Sequence, residues 1–447
     1  MKVAVVGAGW AGLSAALELH RHGHEATVFE SGHRLGGRAR SVHSRKLSAT
    51  VDNGQHILLA AYTETLRVMQ QLGLSGQQRL LRMPLDLQSA DRSFRLKVPK
   101  LPDALALPAA LLLAQGLSWR ERLRLATLLT SLKRRRWQTE PGLTVAQWLA
   151  QGRQSTHIIR AFWDPLCVAA MNTPVHHACA QLFANVLRDS LGAGSSASQV
   201  LISCVDLSSL WPERLPAQIR VLRGRTVRRV GSADGAAQGK GRVLVDDEVF
   251  DAAIIATNVW PAHRLLQQLP AVSVDRKAYL SQFESFSPMP IATLTLQLAD
   301  YWSLPQPMLM LHECPEKQHF GQWLFHCNEF LDLDEPMGAS RVNVVISNAD
   351  TLRGLDSERI AQGVIAQIIE QTKSRAPMPK VAAYELITEK RATFAAVPGL
   401  SRPTNSTPWN GIYVAGDWTD TGYPAVLEGA VRSGKSAVTR LLSDTGF

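Results

Sequence analysis

The sequence predicts an α/β protein made of two units, and three observations support this fold class. Residues 3–6 form a short apolar run that leads directly into a glycine-rich turn and a helical pattern at 13–20, as in a βαβ unit. Short strand-like runs from 219 to 245, separated by turns, predict a β-meander that feeds a buried strand at 252–256. A last apolar strand follows only at 412–415. These patterns predict a Rossmann-like domain that is interrupted by a helical and mixed-sheet domain.

The composition is typical of a large folded protein with an anionic partner. The chain has 447 residues, 45% of them hydrophobic and 19% charged, and its net charge is +10. Its five cysteines are widely spread without a C-x-x-C pair, so we expect neither a disulfide framework nor a metal site. No signal peptide is evident, and the longest apolar stretch, 104–114, is far shorter than the roughly 20 residues of a bilayer span. We therefore expect a cytoplasmic protein.

The N-terminal turn has the spacing of a phosphate-binding loop. In G-x-G-x-x-G, Gly7 would make the tight turn, Gly9 would let a pyrophosphate approach the backbone, and Gly12 would permit close helix packing. A second strand at 26–29 ends in Glu30, at the distance expected for a carboxylate that accepts from ribose hydroxyls. This arrangement of strand, turn, helix, strand and acid predicts dinucleotide binding.

A diglycine and an arginine follow the acid. The run ESGHRLGGRARS resembles the E-x(5)-G-G-R segment of FAD-binding amine oxidases and carotenoid desaturases. The resemblance implies that Gly36, Gly37 and Arg38 lie against the flavin's pyrophosphate, a role that suits the bidentate donors of a guanidinium. A domain that binds only NAD would not require this segment, so the predicted cofactor is FAD.

The C-terminal segment carries a second flavin motif. The run AGDWTDTGYPAVLEGAVRSGKSA, from residue 415, resembles the C-terminal flavin motif of phytoene-desaturase-like enzymes. The resemblance implies that Gly416 belongs to the cofactor site, that Asp417 binds the ribityl chain and that the amide near Leu427 faces the N1–O2 edge of the flavin. In the same family the adenine rests on a backbone segment from the middle of the chain, for which Val227 is the candidate.

The same region contains GAVRSGKS, which matches the P-loop pattern for nucleoside triphosphates. A P-loop follows a strand directly and precedes more strands, but here the last strand ends near residue 415 and only eleven residues follow Ser436. We instead predict one helix over 425–442 with Glu428 and Arg432 as an exposed ion pair. Small residues on one face would allow close packing, namely Ala430, Gly434 and Ala437, with Leu441.

The predicted domains are discontinuous in sequence. The Rossmann-like FAD-binding domain would comprise residues 1–75, 201–277 and 389–447. The substrate-binding domain would comprise residues 76–200 and 278–388, and its second part would include a helix from Ser357 to Thr372.

Five runs identify a narrower resemblance over nearly the whole chain. DNGQHILLAAY from Asp52, FWDPLC, MNTP, LRDS and VDLS resemble the squalene-associated flavoproteins of hopanoid biosynthesis, the hydroxysqualene dehydroxylases. That family uses reduced FAD to remove the allylic hydroxyl of hydroxysqualene, so the resemblance implies a long-chain isoprenoid substrate and leaves the electron donor open. Gly54 would allow the flavin ring to lie close to the backbone. Alternatively, Asp52 and Asn53 simply form a turn and cap the helix that starts near Thr63.

This reaction needs an acid beside an apolar tunnel. Protonation of an allylic hydroxyl makes water a leaving group, and hydride then quenches the cation. The candidates for the acid are His56, Asp164 and Asp206, and His56 is favoured because it adjoins the expected flavin face.

A basic amphipathic helix predicts contact with a membrane. Ser118 and Glu121 form a capping box, and the region from 118 to 137 carries seven basic residues and one acid. Beside the apolar stretch, this pattern is typical of an interfacial element near 101–137 that meets an anionic membrane surface, on the inner face of the cell membrane. The alternative is a solvated helix on its own domain. Nucleic acid is not expected, because no aromatic residues interleave with the basic ones.

Three other functions fit parts of the sequence. A carotenoid-type isoprenoid desaturase would use the flavin in the oxidative direction, and an amine oxidase could use Trp418 and Tyr423 as aromatic walls. A prenyl-chain escort protein would use a related fold without redox chemistry. The flavin motifs argue against the escort, which would be colourless.

Overall fold

The computed structural model describes residues 1–74, 79–99, 101–192, 194, 196–232, 242–270, 275–331 and 339–446. The strands are Lys2–Val6, Glu25–Phe29, Ser41–Ser44, Ala49–Asp52, Ile57–Leu59, Leu80–Met83, Asp86–Gln88, Arg95–Lys97, Val200–Ser203, Arg220–Leu222, Val230–Ser232, Val243–Val245, Glu248–Phe250, Ala252–Ile255, Pro288–Leu298, Met308–Met310, Trp323–His326, Ser340–Ile346, Val381–Phe394 and Ile412–Val414. The α-helices are Trp10–Arg21, Thr63–Gln71, Asp103–Leu113, Trp119–Arg134, Val145–Gln151, Thr156–Ile158, Asp164–Met171, Ala180–Ser190, Leu207–Leu210, Val259–Leu266, Asp275–Glu284, Ser357–Thr372 and Leu427–Thr445. A π-helical turn, Ile159–Trp163, and three short 3₁₀ helices complete the described elements.

A parallel sheet of five strands, the first sheet, lies under the glycine-rich turn. Its spatial order is Arg220–Leu222, Glu25–Phe29, Lys2–Val6, Ala252–Ile255 and Ile412–Val414. The middle strands are almost wholly apolar because helices or other layers cover both of their faces. The α/β fold class is therefore confirmed.

The region between 219 and 245 differs from the predicted β-meander. Arg220–Leu222 joins the first sheet as its parallel edge strand, beside Glu25–Phe29. Among the residues that the structure describes in this region, Val230–Ser232, Val243–Val245 and Glu248–Phe250 form an antiparallel meander. Local turn signals predicted the strands, but the partner of the first strand lies about 190 residues earlier in the chain, which no local pattern reveals.

The second sheet is antiparallel and carries the opposite wall of the molecule's main cavity. Its order is Met308–Met310, Trp323–His326, Ser340–Ile346, Pro288–Leu298 and Val381–Phe394. Helix Ser357–Thr372 packs near this sheet, and its residues Ile360, Val364 and Ile368 are buried in the same apolar cluster as the sheet's inner face. The helix has the bounds that its periodicity predicted.

The C-terminal helix, Leu427–Thr445, packs closely against the first helix, Trp10–Arg21. A Cβ on Gly434 would lie 2.1 Å from the carbonyl oxygen of Ala11, so only glycine permits this approach. Ala437 and Leu441 on the same face are fully buried. The small-residue stripe thus joins the two ends of the chain, and GAVRSGKS lies inside a helix rather than in a phosphate loop.

Candidate cofactor and substrate site

A cavity of about 840 Å³ runs between the two sheets. It is lined by most of the residues that the sequence assigned to the cofactor, namely Gly7, Gly9, Glu30, Gly36, Gly37, Arg38, Gly54, Val227, Gly416, Asp417 and Leu427. Gly12 stands behind them, where a Cβ would lie 2.0 Å from the carbonyl oxygen of Gly7. The fold therefore gathers segments that are up to 420 residues apart into one lining.

In the glycine-rich turn, the backbone requires glycine at one position, whereas at another a side chain would face open space. Gly7 has a φ of +109°, and a Cβ there would lie 2.8 Å from the carbonyl oxygen of Ala256. Gly9 has an extended backbone, and a Cβ there would meet only the Cα of Gly37, at 3.9 Å. The protein itself therefore has room for a side chain at Gly9. The glycine at this position is explained by a ligand that approaches the backbone from the cavity.

The carboxylate of Glu30 is held at the end of its strand by two backbone donors. One oxygen accepts from the amide of Ala8 at 2.8 Å, and the other accepts from the amide of Gly32 at 2.7 Å. Each oxygen keeps acceptor capacity for a hydroxyl group in the cavity. Nearby, Val227 lines the cavity, and neither its N–H nor its C=O bonds to another residue in the described part of the chain. Both groups are available to a ligand such as adenine.

An ion pair between a half-buried arginine and a buried aspartate lies in the cavity wall. A guanidinium nitrogen of Arg38 lies 2.6 Å from the Asp417 carboxylate, and another donates to the carbonyl of Ala392 at 2.7 Å. Burial alone would lower the pKa of Arg38, but the charge of Asp417 and its hydrogen bond raise it above its ordinary value. The cation therefore persists here, with further donors to offer to a pyrophosphate.

A second arginine, Arg402, shapes the loop that carries Asp417, and sequence patterns did not reveal it. Its guanidinium donates to the carbonyl oxygens of Asp417, Trp418, Thr419 and Tyr423 and to the hydroxyl of Thr421. Burial lowers the pKa of Arg402 to about 10, which still leaves it charged at neutral pH. Arg402 belongs to none of the sequence motifs, so its role becomes visible only in the folded structure.

The N-terminus of the C-terminal helix points its free amides at the cavity end formed by Leu427. No side chain caps this helix, and its first amides have no partner within the helix. Glu428 is fully buried, which corrects the predicted exposed pair. It accepts from Arg432 at 2.7 Å and from the amides of Glu64 and Thr65, so it caps the neighbouring helix Thr63–Gln71. The i,i+4 spacing predicted the contact with Arg432, but not that another helix covers it.

The structure also corrects the proposed cap by Asp52 and Asn53, because Glu428 occupies that position. The side chain of Asn53 instead accepts from the amide of Arg40 at 3.2 Å. A carboxylate oxygen of Asp52 accepts from the amide of Leu207 at 2.8 Å. Both side chains therefore brace the backbone that leads into Gly54.

The far end of the cavity is apolar. Its walls come from three separate parts of the chain and include Leu59, Leu85, Leu87, Leu166, Ala169, Val186, Val200, Ile291, Met308, Trp323, Phe325 and Val345. His56 lines the same cavity, and its Nδ1 lies 2.8 Å from the carbonyl oxygen of Gly54. Burial lowers the pKa of His56, and the charge of Arg38 lowers it further. The bond to Gly54 orients the imidazole and only partly opposes these effects.

The other two acid candidates lie outside the described cavity lining. Asp206 caps the short helix Leu207–Leu210 and accepts from the amide of Ser209 at 3.1 Å. Burial raises its pKa, but hydrogen bonds from Ser209 and Ser41 and the charge of Arg34 together outweigh burial, so its pKa is lowered overall. Burial raises the pKa of Asp164, and burial together with the nearby charge of Asp206 raises that of Asp52 to about 8. Of the three candidates, only His56 is placed to meet a substrate.

These groups fit FAD along its whole length. The space at Gly9 and the carboxylate of Glu30 suit a pyrophosphate and a ribose. The ion pair of Arg38 and Asp417 supplies donors and acceptors for the phosphates and the ribityl hydroxyls. The free helix amides at Leu427 favour the negative charge that a reduced flavin carries.

Comparison with known proteins shows the family to which this chain belongs. A family described as flavin containing amine oxidoreductase matches residues 10–442. Hydroxysqualene dehydroxylase of Rhodopseudomonas palustris is 30% identical over 99% of this chain and 98% of its own length. Hydroxysqualene dehydroxylase of Zymomonas mobilis is 28% identical over 98% of both chains. The structure of cyclohexylamine oxidase from Brevibacterium oxydans has a TM-score of 0.66 at 15% identity, covering 100% of this chain and 99% of that one, and shows the same fold. The chain therefore belongs to the flavin containing amine oxidoreductase family and is an FAD-dependent oxidoreductase.

Proposed function

We propose that this protein removes the allylic hydroxyl of hydroxysqualene reductively and releases squalene. The observation that carries the proposal is the cavity of about 840 Å³ whose lining runs from the predicted cofactor residues into an apolar end. Such an end suits a long hydrocarbon better than a small charged amine. The similarity to hydroxysqualene dehydroxylases over nearly the full chain supports the choice of substrate.

The reaction balances with one hydride and one proton. The carbon–oxygen bond breaks as the hydroxyl takes a proton and leaves as water, and a carbon–hydrogen bond forms at the allylic cation that remains. Reduced FAD, when bound, supplies the hydride. The apolar walls, which include Leu85, Leu166 and Phe325, exclude the water that would otherwise recapture the cation.

We assign the proton to His56. It is the acid candidate that lines the cavity, and the carbonyl of Gly54 holds its Nδ1, which leaves Nε2 as the atom to meet the hydroxyl. Because burial and Arg38 lower its pKa, the protonated imidazole is scarce at neutral pH but gives up its proton readily. Delivery of that proton as the carbon–oxygen bond breaks is the role of an acid in this step.

Anaerobic incubation of chemically reduced enzyme with hydroxysqualene tests the proposal. We expect squalene to form while the flavin absorbance returns to the oxidised spectrum, one equivalent for each flavin. A matched incubation with squalene and oxidised enzyme is the control. Reduction of the flavin in that control, without product in the first incubation, would indicate an oxidative desaturase instead.

We also propose that residues 101–137 rest on an anionic membrane surface. None of the described helices is long and apolar enough to cross a bilayer. The large exposed apolar side chains cluster in this region: Leu112, Leu113 and Trp119 are each 69% exposed. Trp119–Arg134 begins with the predicted capping box and buries Leu125 and Leu129 on its other face. Exposed apolar and basic groups on one surface suit anionic lipid headgroups.

Leu112, Leu113 and Trp119 form an exposed apolar patch, which is separated from the cavity by one layer of the structure. The buried face of helix Asp103–Leu113 shares an apolar cluster with the hairpin of Asp86–Gln88 and Arg95–Lys97. Leu87 of that hairpin lines the cavity. A hydrophobic substrate would therefore travel only a short distance from the bilayer.

Flotation with vesicles of phosphatidylglycerol tests the membrane contact. Changing Leu112, Leu113 and Trp119 to serine should abolish flotation of the protein with the vesicles but retain bound FAD. Unchanged flotation of this variant would contradict the proposal.

A further inference from the structure

A second cavity, of about 450 Å³, lies beside the exposed apolar patch and has no part in the cofactor site. It is a groove between helix Trp119–Arg134 and the segment 138–153. A Cβ on Gly152 would lie 2.8 Å from a methyl group of Leu128, so the two walls of the groove meet closely at this point. We refer to this cavity as the headgroup groove.

The headgroup groove has an apolar floor and a cationic rim. Leu128, Leu132 and Trp148 are buried and form the floor. Three arginines line it as well, namely Arg124, Arg135 and Arg153, against one acid, Glu140. The net positive charge at the rim selects an anion, while the floor offers contact to an apolar group.

The arginines are placed by the fold and are not neutralised. Arg124 donates to the backbone carbonyl of Arg153 at 3.2 Å, a bond that leaves its charge uncompensated. Arg135 lies 3.7 Å from Glu140, and both side chains are more than half exposed, so this pair is weak. The guanidinium of Arg153 has no partner among the residues that the structure describes. A phosphate could therefore take donors from two or three guanidinium groups at once.

We propose that the headgroup groove binds the phosphate headgroup of an anionic phospholipid. Leu123 belongs both to the groove lining and to the exposed apolar surface, where its side chain is 59% exposed. An anionic lipid is the ligand whose phosphate meets the arginines while its chains meet the apolar patch. The inference rests on the proposed membrane contact and deepens it, since it turns a diffuse electrostatic attraction into a defined site for one lipid.

Titration of the FAD-loaded enzyme with dihexanoyl phosphatidylglycerol below its micelle concentration, followed by calorimetry, tests this site. We expect saturable binding of one lipid, and at least about tenfold weaker binding of dihexanoyl phosphatidylcholine and of inorganic phosphate. Binding of dihexanoyl phosphatidylglycerol should be abolished in a triple variant that combines Arg124→Gln, Arg135→Gln and Arg153→Gln.

The matched control removes the same charge outside the groove, through Lys133→Gln, Arg134→Gln and Arg136→Gln, and should leave the binding intact. Equal losses in both triple variants, or no saturable binding by the native enzyme, would overturn the site in favour of diffuse attraction. Equal binding of inorganic phosphate would mean a free-anion site and would also overturn it. If the groove triple variant loses its FAD, Arg153→Gln alone serves in its place. The titration uses monomeric lipid and no substrate, so its failure is separate from failure of vesicle flotation or of squalene formation.

Discussion

Two glycine-to-alanine changes separate the demands of the cofactor from those of the fold. At Gly434 a Cβ would lie 2.1 Å from the carbonyl oxygen of Ala11, more than 1 Å inside ordinary contact, so the C-terminal and first helices must move apart. At Gly9 the nearest atom to a Cβ is 3.9 Å away, and the extended backbone suits alanine. Overpacking typically costs about 1–3 kcal/mol. We expect Gly434→Ala to lose this amount on folding and Gly9→Ala to lose it on binding FAD.

The assay measures both quantities on apoprotein. Urea unfolding should show Gly434→Ala destabilised and Gly9→Ala close to the native chain. Quenching of flavin fluorescence should show the affinity of Gly9→Ala for FAD reduced by roughly 5- to 150-fold, the factor that 1–3 kcal/mol represents. Native affinity in Gly9→Ala would refute the argument that the glycine serves a ligand. Loss of apoprotein stability in that variant would show that the fold requires it.

Three further predictions concern charge. Burial raises the pKa of Asp52 to about 8, so between about pH 4 and 8 the unfolded chain binds fewer protons than the folded one, and the stability of the protein falls as pH rises. Asp52→Asn should remove this loss of stability, which is up to about 1.4 kcal/mol per pH unit. Melting temperatures that depend on pH in the same way in both proteins would contradict the prediction. The pKa of His56 is lowered below its ordinary 6.5, so the rate of squalene formation should rise as pH falls through the range below 6.5. His56→Ala should retain FAD but lose turnover. Full activity in that variant would remove His56 from the mechanism. A lysine at position 402 cannot make the several hydrogen bonds of the guanidinium, so Arg402→Lys should reduce the free energies of unfolding and of FAD binding by about 2–4 kcal/mol in total. Thermal melting and FAD titration measure the two effects. The control Arg353→Lys, at an exposed position, should change neither.

Local patterns predicted most of the residues that we propose bind the cofactor, because each of these predictions depends on a short stretch of backbone. The turn at Gly7, the carboxylate of Glu30 at its strand end and the amides at Leu427 need only a few neighbouring residues to form. The resemblance to flavin enzymes supplied what spacing alone could not, namely FAD in place of NAD and the proposal that Arg38 meets the pyrophosphate.

The apolar end of the cavity could not be predicted in the same way. Its residues, from Leu85 to Val345, are ordinary core residues of strands and helices until the two sheets face each other. Periodicity shows that a side chain is buried, but not whether it faces another side chain or an open cavity. The long-chain substrate therefore followed from the family resemblance and not from the pattern of these residues.

Local patterns were sufficient to predict the glycine-rich turn, the capping box at Ser118 and the helix Ser357–Thr372, because the causes of these elements are local. The folded structure was needed to show how distant segments meet. It placed Glu428 under another helix, Asp206 at a helix cap and Arg402 behind the Asp417 loop. The reason is physical. A turn or a cap is stabilised by residues a few positions apart, whereas burial and the charge around a side chain depend on which remote segments pack against it.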